Sequence, residues 1–169
     1  MKIGLGSPFS FSYFGGVQKH VLALAKEFRN LGHQAKILAP RHDVNEDYGP
    51  NVLLLGYSFP FPANASRIDL SWGLPWETEK ILKKEKFDLL HFHGLSPVLG
   101  WQIFEAGKKM GVKNFYTAHA NFDRSGLAQN FPAVTQTYFD FVKKNFDGLI
   151  GVSRVAGSFL KSYRGPKDI

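Results

Sequence analysis

The sequence predicts an α/β protein with a doubly wound, mostly parallel sheet, carried in one domain over residues 1–169. Three observations predict it. Short apolar runs alternate with helix-periodic stretches along nearly the whole chain. Strands joined by helical crossovers pair in parallel, with helices on both faces. Finally, 44% hydrophobic residues and 25 aromatics (16 Phe, 6 Tyr, 3 Trp) supply a sizeable core, which disordered chains of low hydrophobicity lack.

Taken in order, Lys2 to Leu5 reads as a short strand. Val17, Val21, Leu24, Phe28 and Leu31 then repeat on one helical face, with Gln18, Lys19, Lys26, Glu27, Arg29 and Asn30 on the other. Gly32 stands where a left-handed C-terminal cap is wanted. A strand at Ala35 to Ala39, a polar loop from Pro40 to Pro50 and a strand at Val52 to Leu55 follow. Gly56 to Gly73 reads as an aromatic loop punctuated by proline. Pro75 and Trp76 open a helix to about Lys86, before a strand at Asp88 to Phe92 and a helix from about Pro97 to Met110, closed by Gly111. A strand at Asn114 to Thr117, a loop through Asn130, a helix at Ala133 to Asn145, a strand at Gly148 to Val152 and a helix from Ser153 complete the chain.

Composition narrows the function. With no cysteine there is no disulfide scaffold, thiol nucleophile or thiolate metal site, and a reducing, cytoplasmic setting is expected. Met1 to Leu5 leads straight into a strand and no apolar run reaches membrane-spanning length, so neither a signal peptide nor an integral protein is expected. The net charge is +7, but the excess is spread: 10 basic and 7 acidic residues up to residue 84, 11 and 7 after it. Such a balance favours anionic partners without choosing among them. Gly165, Pro166, Lys167 and Asp168 lead to Ile169 with nothing following, so a fragment of a longer protein is expected.

Ligands of such sheets sit at the carboxyl ends of strands, which selects four segments. After the first strand and a loop rich in Phe and Ser, Gly15-Gly16-Val17 opens a helix, placing free amides at a positive helix end suited to phosphate; a plain turn before a helix gives the same pattern. Gly4-Leu5-Gly6 is followed by Phe9 and lacks the third glycine of a dinucleotide fingerprint, which disfavours NAD. His91 and His93 share a strand face and with His119 could hold zinc; structural histidines are the favoured reading, and no metal is expected. His119 ends the next strand with Arg124 five residues on. An imidazole and a guanidinium there would suit a departing phosphorylated group, or merely hydrogen-bond a loop.

The fourth segment, Phe59-Pro60-Phe61-Pro62-Ala63-Asn64-Ala65-Ser66, reads as a substrate loop whose Asn64 and Ser66 offer donors and acceptors to a polyhydroxylated ligand; an idle solvent loop is the alternative. Behind it, Lys80, Lys83, Lys84 and Lys86 line a helix that could lie on anionic lipid. A solvated face with Glu79 pairing to Lys83 is the favoured explanation.

Together, Gly15-Gly16-Val17-Gln18-Lys19-His20-Val21, Asp88 to His93, Thr117-Ala118-His119 and Gly151-Val152-Ser153 resemble the retaining GT-B glycosyltransferases of family 4. The loop at 60–66 looks like that of the phosphatidylinositol mannosyltransferase-like members. The resemblance implies the N-terminal, acceptor-side half of an enzyme of two Rossmann-like domains, the C-terminal donor-binding domain being absent from this chain. It implies further that Gly15, Gly16 and Arg124 face the donor diphosphate, that His119 is the catalytic contact to the donor sugar, and that Asn64, Ser66 and Gln18 line the acceptor side. The partners expected are a nucleotide-sugar donor and a hydroxyl acceptor, lipid-linked acceptors included, with peripheral contact to anionic membrane, no nucleic acid, and neither cofactor nor metal. The family's paired glutamates lie in the missing half. Glu77 and Glu85 match their spacing by accident and read as solvent-facing. The competing reading is a non-catalytic basic α/β module docking on anionic lipid or nucleic acid.

Overall fold

The computed structural model describes residues 1–63, 66–96, 98–119 and 132–157. The chain divides into two compact units, Met1–Asn114 and Phe115–Ile169. It is an α/β, Rossmann-like protein with a mostly parallel sheet.

In the first unit the elements are β1 (Lys2–Gly6), α1 (Gly16–Asn30), β2 (Gln34–Arg41), β3 (Val52–Ala63), β4 (Ser66–Trp72), α2 (Pro75–Glu85), β5 (Leu89–Phe92) and α3 (Leu99–Lys109). Their strands hydrogen-bond in the order β4-β3-β2-β1-β5. β1 pairs in parallel with β2 and β5, β2 in parallel with β3, and only β4 runs antiparallel. Because the chain winds outward from β1 through β2 and β3 and then returns to its other side at β5, the switch point of this sheet lies between β1 and β5.

Alternation along β1 assigns the two faces. Ile3 and Leu5 join Val21, Ala25, Ala35 and Ile37 in a core covered by α1. On the other face Gly4 has no room for a side chain, since a Cβ there would stand 2.6 Å from Leu90, while a Cβ on Gly107 of α3 would stand 2.5 Å from the same side chain. Gly4 is therefore a packing glycine, with Leu90 filling the place of its side chain. α1 ends as its sequence predicts, with Gly32 at φ +83°. Leu31 does not join the core face: it stands one residue past the last helical turn and is 71% exposed.

The aromatic segment 56–73 is not an irregular loop. Most of it is an antiparallel hairpin in which β3 runs on to Ala63 and β4 pairs back from Ala63↔Ser66 to Tyr57↔Trp72. The prolines are tolerated because the pairing of β3 with β2 ends at Arg41↔Tyr57. Beyond that point β3 pairs with β4 alone among the described residues, so Pro60 and Pro62 stand in an edge-like stretch of strand, where proline is accommodated. Gly56, at φ +59°, sits at the base of the hairpin, where any side chain would run into the Trp72 carbonyl.

At the amino ends of the strands, Glu85 is not the solvent-facing residue that its helix suggested. It is buried and paired with Lys2 (2.6 Å) and Lys36 (2.9 Å). Burial pushes its carboxyl up, but the hydrogen bonds and charges of the two lysines outweigh this and hold it below the ordinary value. Glu77 is exposed, and Glu79 pairs with Lys83 at 2.6 Å across one helical turn, as the spacing predicts.

In the second unit, β6 (Lys113–Ala118) enters from the boundary and pairs in parallel with β7 (Gly148–Gly151), the connection including α4 (Pro132–Asn145). Phe139, Val142 and Phe146 are buried with Tyr116. The Tyr116 hydroxyl lies 3.2 Å from that of Tyr138; burial first, and then this neighbour, push its ionisation well above the usual tyrosine value. Ser153 caps the next helix, its Oγ accepting the Ala156 amide at 3.1 Å. Gly151 is required where that helix passes, since a Cβ would lie 2.5 Å from the Gly157 nitrogen.

Candidate functional site

The first unit's candidate site is the crevice at the carboxyl ends of β1 and β5. Four hydrogen bonds shape the loop leaving β1. The Ser7 amide donates to Leu38 O (2.8 Å), the Ser10 amide to Asp69 Oδ2 on β4 (3.0 Å), and Gln18 reaches back from α1 to donate its Nε2 to Ser10 O (3.1 Å) and Tyr13 O (2.8 Å). Ser12 Oγ donates to the Glu46 carboxylate. Phe11, 3% exposed, anchors the loop against Tyr48 and Phe14. Gln18 is thus not on a solvent face of α1 but buried beneath the loop.

This bracing delivers the chain to Gly15, the N-cap of α1, in an extended conformation with no side chain capping the helix and no acidic residue in its first turn. Such a helix opening, with its first-turn amides and the positive end of the helix dipole, is of the kind that suits an anionic acceptor. A Cβ on Gly16 would meet nothing within 4 Å, while one on Gly15 would press on Gln18 Oε1 at 2.9 Å.

From the other side of the switch point come the residues after β5. The His93 amide donates to Gly6 O (2.9 Å), and Gly94 at φ +90° turns the chain beside Pro8. His91 and His93 share one face as their spacing predicts, with ring centroids 4.4 Å apart, and both are buried. His20 on α1 lies beside His93, its ring 5.3 Å away and a nitrogen of each within 4.8 Å of the other. Sequence reasoning missed His20. The available signal was its position four residues after Gly16, one helical turn along the same face. It also missed Asp69, which no local pattern ties to Ser10.

His119 is half-buried at the carboxyl end of β6 in the second unit. Ser66 opens β4. Asn64 and Arg124 lie outside the described residues.

A strand, a braced loop and the opening of a helix thus meet at the switch point of a parallel sheet, the place where α/β sheets of this kind bind ligands. Residues 14–169 match the family model Glycosyltransferase Family 4, and the chain belongs to that family. Among curated relatives, it is 37% identical over 124 residues to the phosphatidyl-myo-inositol mannosyltransferase of Mycolicibacterium smegmatis, covering 70% of this chain and 31% of that protein. The chain spans about a third of the length of the curated relatives it matches. Similar solved structures include UDP-N-acetylglucosamine 2-epimerase from Rickettsia bellii (TM-score 0.61, 14% identity, 98% of this chain and 42% of that one) and MurG of Acinetobacter baumannii (0.55, 15%, 89% and 40%). These two share the GT-B-like fold.

Proposed function

We propose that the chain is the acceptor-side half of a glycosyltransferase that moves a sugar from a nucleotide-sugar donor to a hydroxyl group with retention of configuration. The observation that carries this reading is the uncapped, acid-free opening of α1 at the switch point, in a chain of family 4.

The chemistry asks little of a protein nucleophile and much of leaving-group stabilisation. As the bond from the sugar to the diphosphate breaks, negative charge grows on the phosphate oxygens. Backbone amides at Gly15 and Gly16, already oriented by the braced loop, meet that charge without reorganising. Arg124 adds a cation near the same oxygens, and His119 contacts the donor sugar beside the reacting carbon. Asn64 and Ser66 hold the acceptor; Gln18 serves the acceptor side through the loop carbonyls that it fixes. The relatives' acceptor is named as a phosphatidylinositol, which favours a lipid-linked acceptor here and peripheral contact with an anionic membrane on its cytoplasmic side. No helix among the described residues is long and apolar enough to cross a membrane.

The test joins this chain to the donor-binding half of the mannosyltransferase relative and follows transfer from a panel of nucleotide sugars to phosphatidylinositol, with the product anomer read by NMR. Transfer with retention is expected from the joined protein and negligible transfer from this chain alone. His119→Ala should lower turnover by about 100-fold or more. Undiminished turnover in that variant would remove the central residue of the reading, and inversion would remove its mechanism.

A further inference from the structure

The hydrogen bonds in front of α1 form a continuous line that begins on the β3–β4 hairpin. Asp69 on β4, 4% exposed, accepts the Ser10 amide at 3.0 Å. Ser10 is 1% exposed, and its carbonyl accepts Gln18 Nε2 at 3.1 Å. The same Nε2 reaches Tyr13 O at 2.8 Å, two residues before Gly15. Gln18 Oε1 meanwhile packs so close to Gly15 that a Cβ there would stand 2.9 Å away. The line thus connects a carboxylate on the strand that Ser66 opens to the residue that caps α1. Asp69, Ser10 and Gln18 are all buried, and a packed, hydrogen-bonded interior passes a displacement on rather than absorbing it. The loop's other acidic brace differs. Glu46, which accepts Ser12 Oγ and the His42 amide, is only half-buried and is free to follow the loop.

We infer that Asp69 is a positioning residue for diphosphate recognition, holding the backbone amides of Gly15 and Gly16 in the direction the anion needs. The sign of its charge points to geometry as its role. A carboxylate this close to an anion-binding helix opening opposes the anion by its field, so a side chain serving there electrostatically would be basic. What Asp69 supplies is a fixed acceptor: a carboxylate holds a backbone N–H more strongly than a neutral oxygen does, and its burial leaves it little room to move. The amides are then oriented by a residue that itself never meets the phosphate. The inference rests on the reading of α1 as the donor-diphosphate site and adds a link within it. The strand that begins at Ser66, on the acceptor side in that reading, also sets the donor-side amides. Movement of β4 on acceptor binding reaches the phosphate through Ser10 and Gln18, and by reciprocity the phosphate reaches β4.

The chain itself is titrated with inorganic pyrophosphate, followed by calorimetry and by the backbone amide NMR resonances of Gly15 and Gly16. Asp69→Ala should shift both resonances before any ligand is added and weaken pyrophosphate binding by about tenfold. Asp69→Asn, which keeps an oxygen to accept the Ser10 amide, should bind within about twofold of the unmodified chain. Circular dichroism checks folding, and Asp69→Leu, which fills the same space without an acceptor, takes the place of the alanine variant if that one does not fold. Glu85→Gln is the control. It removes one negative charge and a buried pairing at the amino ends of the strands, and should leave the two resonances and the affinity unchanged. Equal binding by every variant would overturn the inference while leaving α1 as a phosphate site. Tighter binding by Asp69→Ala and Asp69→Asn alike would overturn it in favour of charge alone, and equal weakening by Asp69→Ala and Glu85→Gln would overturn it in favour of general stability. Absence of pyrophosphate binding by the unmodified chain would remove the diphosphate reading of α1 and the inference with it; turnover of the joined protein tests that reading separately.

Discussion

The central strands β1, β2 and β5 and the β3–β4 hairpin are built from similar apolar residues put to opposite use. In the centre, Leu5, Ile37, Leu38 and Leu90 are no more than 1% exposed, and hydrophobic identity translates directly into burial. In the hairpin, Phe59 and Trp72 face outward while a carboxylate and two serines are enclosed. Burial explains residue choice in the first region. The hairpin instead reverses the usual order: Asp69 and Ser58 inside it hydrogen-bond to Ser10 and Arg41, while Phe59 and Trp72 stack on its outer face.

Substitutions sharpen that contrast. Leu5→Ala, in the centre, should cost about 2–5 kcal/mol of unfolding free energy in a urea titration. Gly56→Ala should cost about 2–4 kcal/mol by the same measurement, since it combines a left-handed backbone with a collision against the hairpin's own carbonyl. A value near zero would mean that the hairpin base can be rebuilt. Asp69→Ala leaves the buried Ser10 amide without its carboxylate and should cost about 1–3 kcal/mol. Glu85→Gln should cost about 1–2 kcal/mol at neutral pH, and its effect should depend on pH. The folded carboxyl lies below its ordinary value of 4.5, so its contribution is complete above that value and drains away as pH falls through the lower folded value. Unfolding curves of the two proteins should therefore converge in acid. Smallest of all, Trp72→Ser should change stability by less than about 0.5 kcal/mol, and a loss like that of Leu5→Ala would erase the distinction between the two regions.

The same contrast explains what was readable in the sequence. The central strands announced themselves because strands covered on both faces appear as short continuous apolar runs, and α1 because Val17, Val21, Leu24 and Phe28 keep helical spacing. The hairpin did not. Pro60 and Pro62 signal a break unless one knows that β3 lacks a second neighbour there, and neighbours across a sheet are not visible in a linear pattern. Gln18 and Glu85 were assigned to solvent for a related reason: polarity predicts exposure, and both are buried by partners distant in sequence or folded back over them, the loop carbonyls of Ser10 and Tyr13 for one and Lys2 and Lys36 for the other. At the candidate site, the glycines and the His91–His93 pair were legible through local spacing. The ring contact between His20 and His93 depends on how α1 lies over the strands.

The hydrogen bond from the Ser10 amide to Asp69 ties the loop in front of α1 to the hairpin's inner face. One peptide proton therefore sits at a mechanical junction, with the opening of α1 on one side of it and the β3–β4 strand pair on the other. Its deuterium exchange rate becomes a natural strain gauge: a hairpin pulled or pressed by whatever it rests on changes the protection of Ser10, and so does any ligand that tightens the loop.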